Sequence, residues 1–162
     1  MSEPAAMPAN ALDDARVLLH AVLVEAFARV GFEPERVDNY PPAPVRIPGA
    51  WVDLPTLSSQ GQGLVATFPL IVAVDGTVRE QVRRLDALTA LVWERLRAYT
   101  IPLDAPRLAR GSTLQLLTAG LDDLDLGNAN ARAVTVTVQV PIAPRTLCPT
   151  ALTEPDTGDP TS

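Results

Sequence analysis

Residues 70–80, LIVAVDGTVRE, come nearer than any other stretch to a recognisable reaction site. Some phosphoryl-transfer enzymes end a strand with Asp-x-Asp-Gly-Thr, and the first Asp attacks phosphorus. That position is Ala73 here, which has no nucleophilic atom. The Asp-Gly pair that begins at Asp75 is typical of a turn. Thr77 and Glu80 have the spacing of a capping box, in which both side chains accept from backbone N–H groups at a helix start. We therefore expect Thr77 and Glu80 to cap a helix.

A second group of carboxylates, Asp122, Asp123 and Asp125, lies in the segment LDDLDLGNAN. A calcium loop of the EF-hand type needs an oxygen ligand at its fifth position and Glu at its twelfth. Counted from Asp123, the fifth position is Gly127 and the twelfth is Val134, so the spacing fails. We expect instead an acidic hairpin tip that is exposed to solvent.

No other combination of residues predicts catalysis, cofactor binding or a metal site. His20, the only histidine, has no Ser or Cys beside it, and the only cysteine, Cys148, lies in a Pro-rich stretch. Zinc-ligand sets and the phosphate-binding motifs GxxxxGK and GxGxxG are absent. We expect Trp51 and Trp93 to serve in packing or at an interface. The sequence therefore predicts no catalytic residue, no cofactor, no metal and no enzyme activity.

The composition predicts one acidic domain in a reducing compartment. The 162 residues are 47% hydrophobic, which is enough to bury a core, and their net charge is −6. This charge argues against general nucleic-acid binding, which needs a basic face. A single cysteine permits no internal disulfide. The N-terminal stretch lacks the basic region of a signal peptide, and no apolar run is long enough for a membrane span. All 13 basic residues are Arg, which favours a GC-rich genome.

Hydrophobic periodicity predicts two amphipathic helices, over residues 11–30 and 78–98. Asn10 is suited to cap the first helix. Gly31 is suited to end it in the left-handed conformation, and Phe32 to fold back onto its last turn.

Four strands are predicted, over residues 45–54, 64–75, 112–118 and 133–142. The strand over 133–142 alternates valine with threonine or glutamine, which indicates one buried face and one wet face. Pro69 cannot donate to a ladder, so we expect it at a bulge or an edge.

Residues 55–63, PTLSSQGQG, are polar and Gly-rich. This composition predicts a mobile loop, with Ser58, Ser59, Gln60 and Gln62 as candidate interface residues.

The elements follow the order α-β-β-α-β-β. This order predicts an α+β fold with a mostly antiparallel sheet of about four strands and two helices on one face. The predicted organisation is a flexible N terminus over 1–10, a single domain over 11–142, and a Pro/Thr-rich C-terminal tail over 143–162.

The layout resembles that of the tail-terminator, or tail-completion, proteins of long-tailed bacteriophages. The resemblance covers residues 11–142 and is carried by five segments in order. These are the helix ALDDARVLLHAVLVEAFARVG, the extended stretch PPAPVRIPGAWVDLP, the strand ATFPLIVAVDG, the helix VREQVRRLDALTALVWERL and the strand ARAVTVTVQVPI. The Lys-free composition is similar to that of phages of actinobacterial hosts.

The resemblance implies a structural virion protein, assembled in the host cytoplasm, that forms a ring of usually six copies at the head-tail junction. The ring would cap the tail tube, stop its polymerisation and bind the neck or head-closure protein. DNA would pass through it as cargo, and no membrane would be involved. An acidic lumen lined by Asp122, Asp123 and Asp125 would repel DNA. Two alternatives stay open: a neck or head-closure protein of the same virion, and a small α+β ligand-binding domain or enzyme.

Overall fold

The computed structural model describes residues 9–61, 63–122 and 126–143, without the side chain of Asp122. Within these ranges the chain forms two helices and six strands, together with a 3₁₀ turn over Pro34–Arg36. The helices are α1 (Ala11–Arg29) and α2 (Arg79–Arg97). The strands are β1 (Val37–Asp38), β2 (Gly49–Val52), β3 (Thr56–Gln60), β4 (Gly63–Asp75), β5 (Gln115–Asp122) and β6 (Ala131–Ile142).

The predicted α+β fold is confirmed, with two more strands than the sequence indicated. The sheet has the order β1-β2-β4-β6-β5, and β3 also pairs with β4. All pairs are antiparallel except β1 with β2. Residues 1–8 and 144–162, the greater part of the predicted flexible ends, lie outside the described residues. The predicted domain boundaries therefore stay predictions.

The predicted mobile loop over residues 55–63 is wrong. Thr56–Gln60 forms β3, and Gly61, with φ of +60°, turns the chain directly back into β4. Every residue of β3 is exposed, so the strand has no apolar face to reveal it in the sequence. Only its backbone ladder to β4 defines it.

Pro69 lies inside β4, where β2 and β3 follow one another along the same side. Its carbonyl accepts from the N–H of Asp53, at 2.8 Å, in the short break between β2 and β3. In an antiparallel strand the N–H and C=O of one residue point the same way, so the missing donor faces this break as well. Pro69 therefore lies in an interior strand, neither at a bulge nor at an edge as expected, and is accommodated because its missing N–H faces the break between β2 and β3.

The ends of α1 form as the sequence predicts. The side chain of Asn10 accepts from the N–H of Asp13 at 3.0 Å. Gly31 has φ of +88°. The N–H of Phe32 donates to the carbonyl of Phe27 at 2.9 Å, and the two rings lie 5.1 Å apart.

The main core lies between the two helices and one face of the sheet. Leu19 and Leu23 from α1, and Leu88 and Val92 from α2, pack fully buried against this face. The sheet contributes its alternate residues, chiefly Phe68, Leu70, Val72, Val136, Val138 and Val140. On the opposite face, the described residues form a smaller apolar cluster around Trp51, against which Val45, Ile47 and Leu126 pack.

Arg16 of α1 is a charged residue inside the protein, with only 5% of its surface exposed, and it connects α1 to the sheet by hydrogen bonds. Its guanidinium donates to the carbonyls of Asn39, Val52 and Asp53, and lies 4.2 Å from the centroid of the Tyr40 ring. Burial lowers its pKa from the ordinary value, and nearby acidic groups partly offset this. Sequence reasoning missed this contact, because an arginine inside an apolar helix stripe carries no pattern of its own.

Replacing Arg16 with Ala should lower the free energy of unfolding by about 2–4 kcal/mol, because buried carbonyl acceptors lose a charged donor. Arg16→Lys should lose less, since it keeps the charge but cannot reach three separated carbonyls. Urea unfolding measures both, with the exposed Arg79→Ala as control. A loss from Arg16→Ala no larger than that of the control would contradict this role.

Candidate assembly surface

Asp75 is the centre of a small turn rather than of a reaction site. Its carboxylate accepts from the N–H and the hydroxyl of Thr77, at 2.9 and 2.6 Å. The hydroxyl bond, followed by the N–H bond, holds the pKa of Asp75 below its ordinary value. The N–H of Gly76 donates to Asn130 at 2.8 Å, so the turn stays attached to the end of the sheet. Ala73 is fully buried in β4 and offers no nucleophile.

The predicted capping box of Thr77 and Glu80 is not formed. Helix α2 begins at Arg79, and Val78 occupies the N-cap position without a side-chain cap. Thr77 directly precedes the N-cap residue, and its hydroxyl donates to the carboxylate of Asp75. Glu80 instead forms an ion pair with Arg84 at 3.4 Å. The local turn therefore outcompetes the cap.

His20 is part of the packing between α1 and β1. Its Nε2 lies 3.0 Å from the carbonyl of Val37, which accepts the hydrogen bond. Cys148 lies outside the described residues. In the described ranges, no group of three or more His, Cys, Asp and Glu side chains is placed to hold a metal ion. Neither helix is long and apolar enough to cross a membrane, as far as the described residues go.

The predicted interface residues that the structure describes lie in β3 and at the end of β5. Ser58, Ser59 and Gln60 are exposed in β3, while Gln62 lies outside the described residues. The backbone of Asp122 ends β5. The acidic tip itself, with Asp123 and Asp125, lies outside the part of the chain that the structure describes. Both roles stay predictions.

The sheet face opposite the helices carries a neutral polar patch. Its residues point away from the helices and come from four neighbouring strands, as their register shows. All are hydroxyl or amide side chains: Thr56, Ser58, Thr67, Gln115, Thr118, Thr135, Thr137 and Gln139. We call this set the neutral face. It offers no charge of either sign to a passing polyanion.

An apolar groove of about 750 Å³ lies on the helix side, between α2 and the β5–β6 hairpin. Leu85 and Val134 are buried in its lining, and Trp93 forms part of its wall. Leu121 stands at the β5 side with 79% of its surface exposed. Asp86 and Glu94 are the carboxylates in its lining. Thr89 and Arg132 are its other polar side chains, and the rest of the lining is apolar or glycine.

The fold is similar to that of several chains in solved structures. One of these is a chain from the "Virion of native gene transfer agent (GTA) particle", with a TM-score of 0.52 and 19% sequence identity. The match covers 76% of this chain and 93% of that chain. No protein-family model matches the sequence. No curated protein matches it either.

The groove was not predicted from the sequence, since it arises where α2 leaves β5 uncovered. The signal available was Leu121, an apolar residue next to the carboxylates of the segment LDDLDLGNAN.

Placing Ser at position 78 should stabilise the protein by about 1 kcal/mol, because Val78 leaves the first N–H groups of α2 without a side-chain acceptor. Val78→Ala is the matched control, since it removes the same side chain and supplies no acceptor. Thermal and urea unfolding measure the difference. Equal stability of the two variants would show that this helix end needs no cap.

Proposed function

We propose that this chain is a structural protein of a phage-like virion, specifically the tail terminator that caps the tail tube. The fold shared with a chain of a gene transfer agent virion supports the virion role. The order of helices and strands over residues 11–142 supports the terminator, as the sequence resemblance does. The proposed location is the head-tail junction, after assembly in the cytoplasm of a GC-rich actinobacterial host.

The observation that carries this proposal is that two strands of the described sheet each have one unpaired edge. β3 pairs with β4 on one side only, and β5 with β6 on one side only, within the described residues. These two edges lie at opposite ends of the run β3-β4-β6-β5. Contacts between unlike surfaces at opposite ends of a subunit generate a closed ring when the rotation between copies closes. A ring of about six such copies follows from the resemblance.

The two faces of the sheet suggest how such a ring is oriented. Helices cover one face, and neither apolar cluster of the described residues extends over the neutral face. With the helices outward, the neutral face lines the channel. DNA binding gains most of its affinity from cationic side chains that displace counterions. A wall of hydroxyl and amide groups, with an acidic tip at Asp122, Asp123 and Asp125, would let DNA pass without being held.

A neck or head-closure protein of the same virion is the second candidate. It would use the same sheet edges and the same channel wall. The choice between them depends on the partner, since a terminator binds the tube tip and a neck protein binds the connector. The groove beside α2 keeps open a third candidate, a small ligand-binding domain, for which the protein would stay monomeric and bind a small molecule.

Mixing the purified chain with its tail tube protein tests the proposal. We expect hexameric rings on tube tips by negative-stain imaging, and tubes that no longer lengthen. Native mass spectrometry of the chain alone and with tubes gives the copy number. A monomer in the absence of tubes neither supports nor contradicts the proposal, because the tube can act as the template of the ring. A monomer indifferent to tubes would contradict the proposal, and binding to the connector alone would favour the neck protein.

Changing Asp122, Asp123 and Asp125 together to Lys should slow DNA delivery while the rings stay intact, because cationic side chains would hold phosphates in the channel. The matched Asp→Asn triple variant should lie between this variant and the unchanged protein. Delivery is measured by DNA release from assembled particles. Unchanged delivery in the Lys variant would exclude these residues from the channel wall.

A further inference from the structure

The two free edges of the sheet have matching directions. β3 and β6 run antiparallel to β4, and β5 runs antiparallel to β6. The strands β3, β4, β6 and β5 therefore alternate in direction. A β3 strand from a second copy, placed beside β5, continues this alternation without a break. The extended sheet is antiparallel throughout.

Neither edge carries the protection that exposed strands usually have. Free edges are normally blunted by charges, prolines or very short strands. β3 has five residues, TLSSQ, and none is charged or proline. β5 has eight residues, QLLTAGLD, and its only charge is the final Asp122. Two unguarded edges at opposite ends of one sheet indicate that both are paired in the working protein.

Hydrogen bonds inside the protein identify which backbone groups point outward from β3. Since Pro69 faces β2 and β3, alternate residues such as Val65 and Thr67 face β3 as well. Their partners Ser58 and Thr56 therefore bond inward. Leu57 and Ser59 are left with their N–H and C=O groups pointing away from the sheet.

The same reasoning applies to β5. The N–H of Gly76 donates to the carbonyl of Asn130, just beyond the paired residues of β4 and β6. Backbone bonding alternates along a strand, so the even-numbered residues of β4 and β6 bond to each other. Odd-numbered residues of β6 face β5, so their partners Thr118 and Gly120 bond inward. Ala119 and Leu121 point their backbone groups outward.

We propose that neighbouring copies pair β3 with β5, with Leu57 opposite Leu121 and Ser59 opposite Ala119. This register joins both outward residues of each edge, which makes four backbone hydrogen bonds. It also brings together two exposed leucines, with 41% and 79% of their surfaces accessible. The inference rests on the proposed ring and names the surface that closes it.

The groove beside α2 fits this register. Leu57 lies on the helix side of its sheet, because its partner Ala66 packs in the main core. When β3 of the next copy lies beside β5, Leu57 enters the open side of the groove next to Leu121. Trp93 forms the wall above. The apolar lining is thereby covered by an apolar residue of the same protein.

The register also sets a strand tilt that suits a closed ring. Within one chain Thr56 lies level with Gln115, but in the proposed register it faces Asp122 of the neighbour. Gln115 pairs with Gln139 of β6, and Asp122 pairs with Ala133. The shift from Gln115 to Asp122 therefore corresponds to six residues along β6. The offset is about 20 Å over a width of about 19 Å for four strands. Strands would tilt by roughly 45°, near the 35–45° of closed barrels.

Cysteine cross-linking tests the register, in a Cys148→Ser background. Ser58 and Gly120 face each other in the proposed pairing, on the neutral face, and a Cβ at Gly120 meets no atom within 4 Å. The variant S58C/G120C, oxidised after assembly on tubes, should give a covalent ladder up to the full ring. Within one chain β4 and β6 separate these positions, so no internal disulfide competes.

The matched control is S58C/T118C, which is two residues out of register and too distant to bridge. A ladder from S58C/G120C and not from the control supports the inference. Rings without cross-linked oligomers, or equal cross-linking from both cysteine pairs, would overturn the inference. Either result would leave the proposed function standing. Failure of the unchanged chain to form rings on tubes would instead overturn the proposed function.

A second variant does not depend on disulfide chemistry. L57E should weaken ring formation about tenfold or more, because a carboxylate would replace an apolar contact between copies. L103E changes a leucine that has 78% of its surface exposed and lies outside both edge strands, between α2 and β5, and should leave the ring unchanged. Circular dichroism confirms that both variants fold. Equal ring formation by the two variants would contradict the pairing.

Discussion

The antiparallel ladder between β4 and β6 is the interaction on which the rest of the fold depends. It joins twelve residue pairs, from Leu64 with Ile142 to Asp75 with Ala131. Because side chains alternate along both strands, the ladder fixes one apolar face, on which both helices pack, and one face that stays polar over its centre. β2 and β3 add to one side of this ladder and β5 to the other. Two free edges are the consequence.

Most of this architecture could be predicted from the sequence where apolar residues recur with a clear period. The valine alternation of β6 and the stripes of both helices gave elements within a few residues of those observed. β3 could not be found this way, because a strand exposed on both faces has no apolar signal. The capping box at Thr77 failed because the Asp75 carboxylate takes the same hydroxyl. Arg16 was missed because its acceptors are carbonyls distant in sequence.

The candidate site was harder to predict than the fold, and the reason is physical. Catalytic chemistry concentrates a few residue types at fixed spacings, which a sequence displays. An assembly surface is spread over backbone groups at strand edges and over neutral side chains such as Thr135 and Thr137. None of these has a signature outside the sheet that aligns them. The proposed function relies on backbone hydrogen-bonding groups at the edges of the described sheet, and on the apolar groove beside α2.

The central claim is that these leftover backbone groups join neighbouring copies. Amide hydrogen exchange of the free chain and of the chain assembled on tubes measures this directly. The account predicts fast exchange at Leu57, Ser59, Ala119 and Leu121 in the free chain, and strong protection after assembly, while the β4–β6 ladder exchanges slowly in both states. Unchanged fast exchange at these four amides in assembled rings would contradict it.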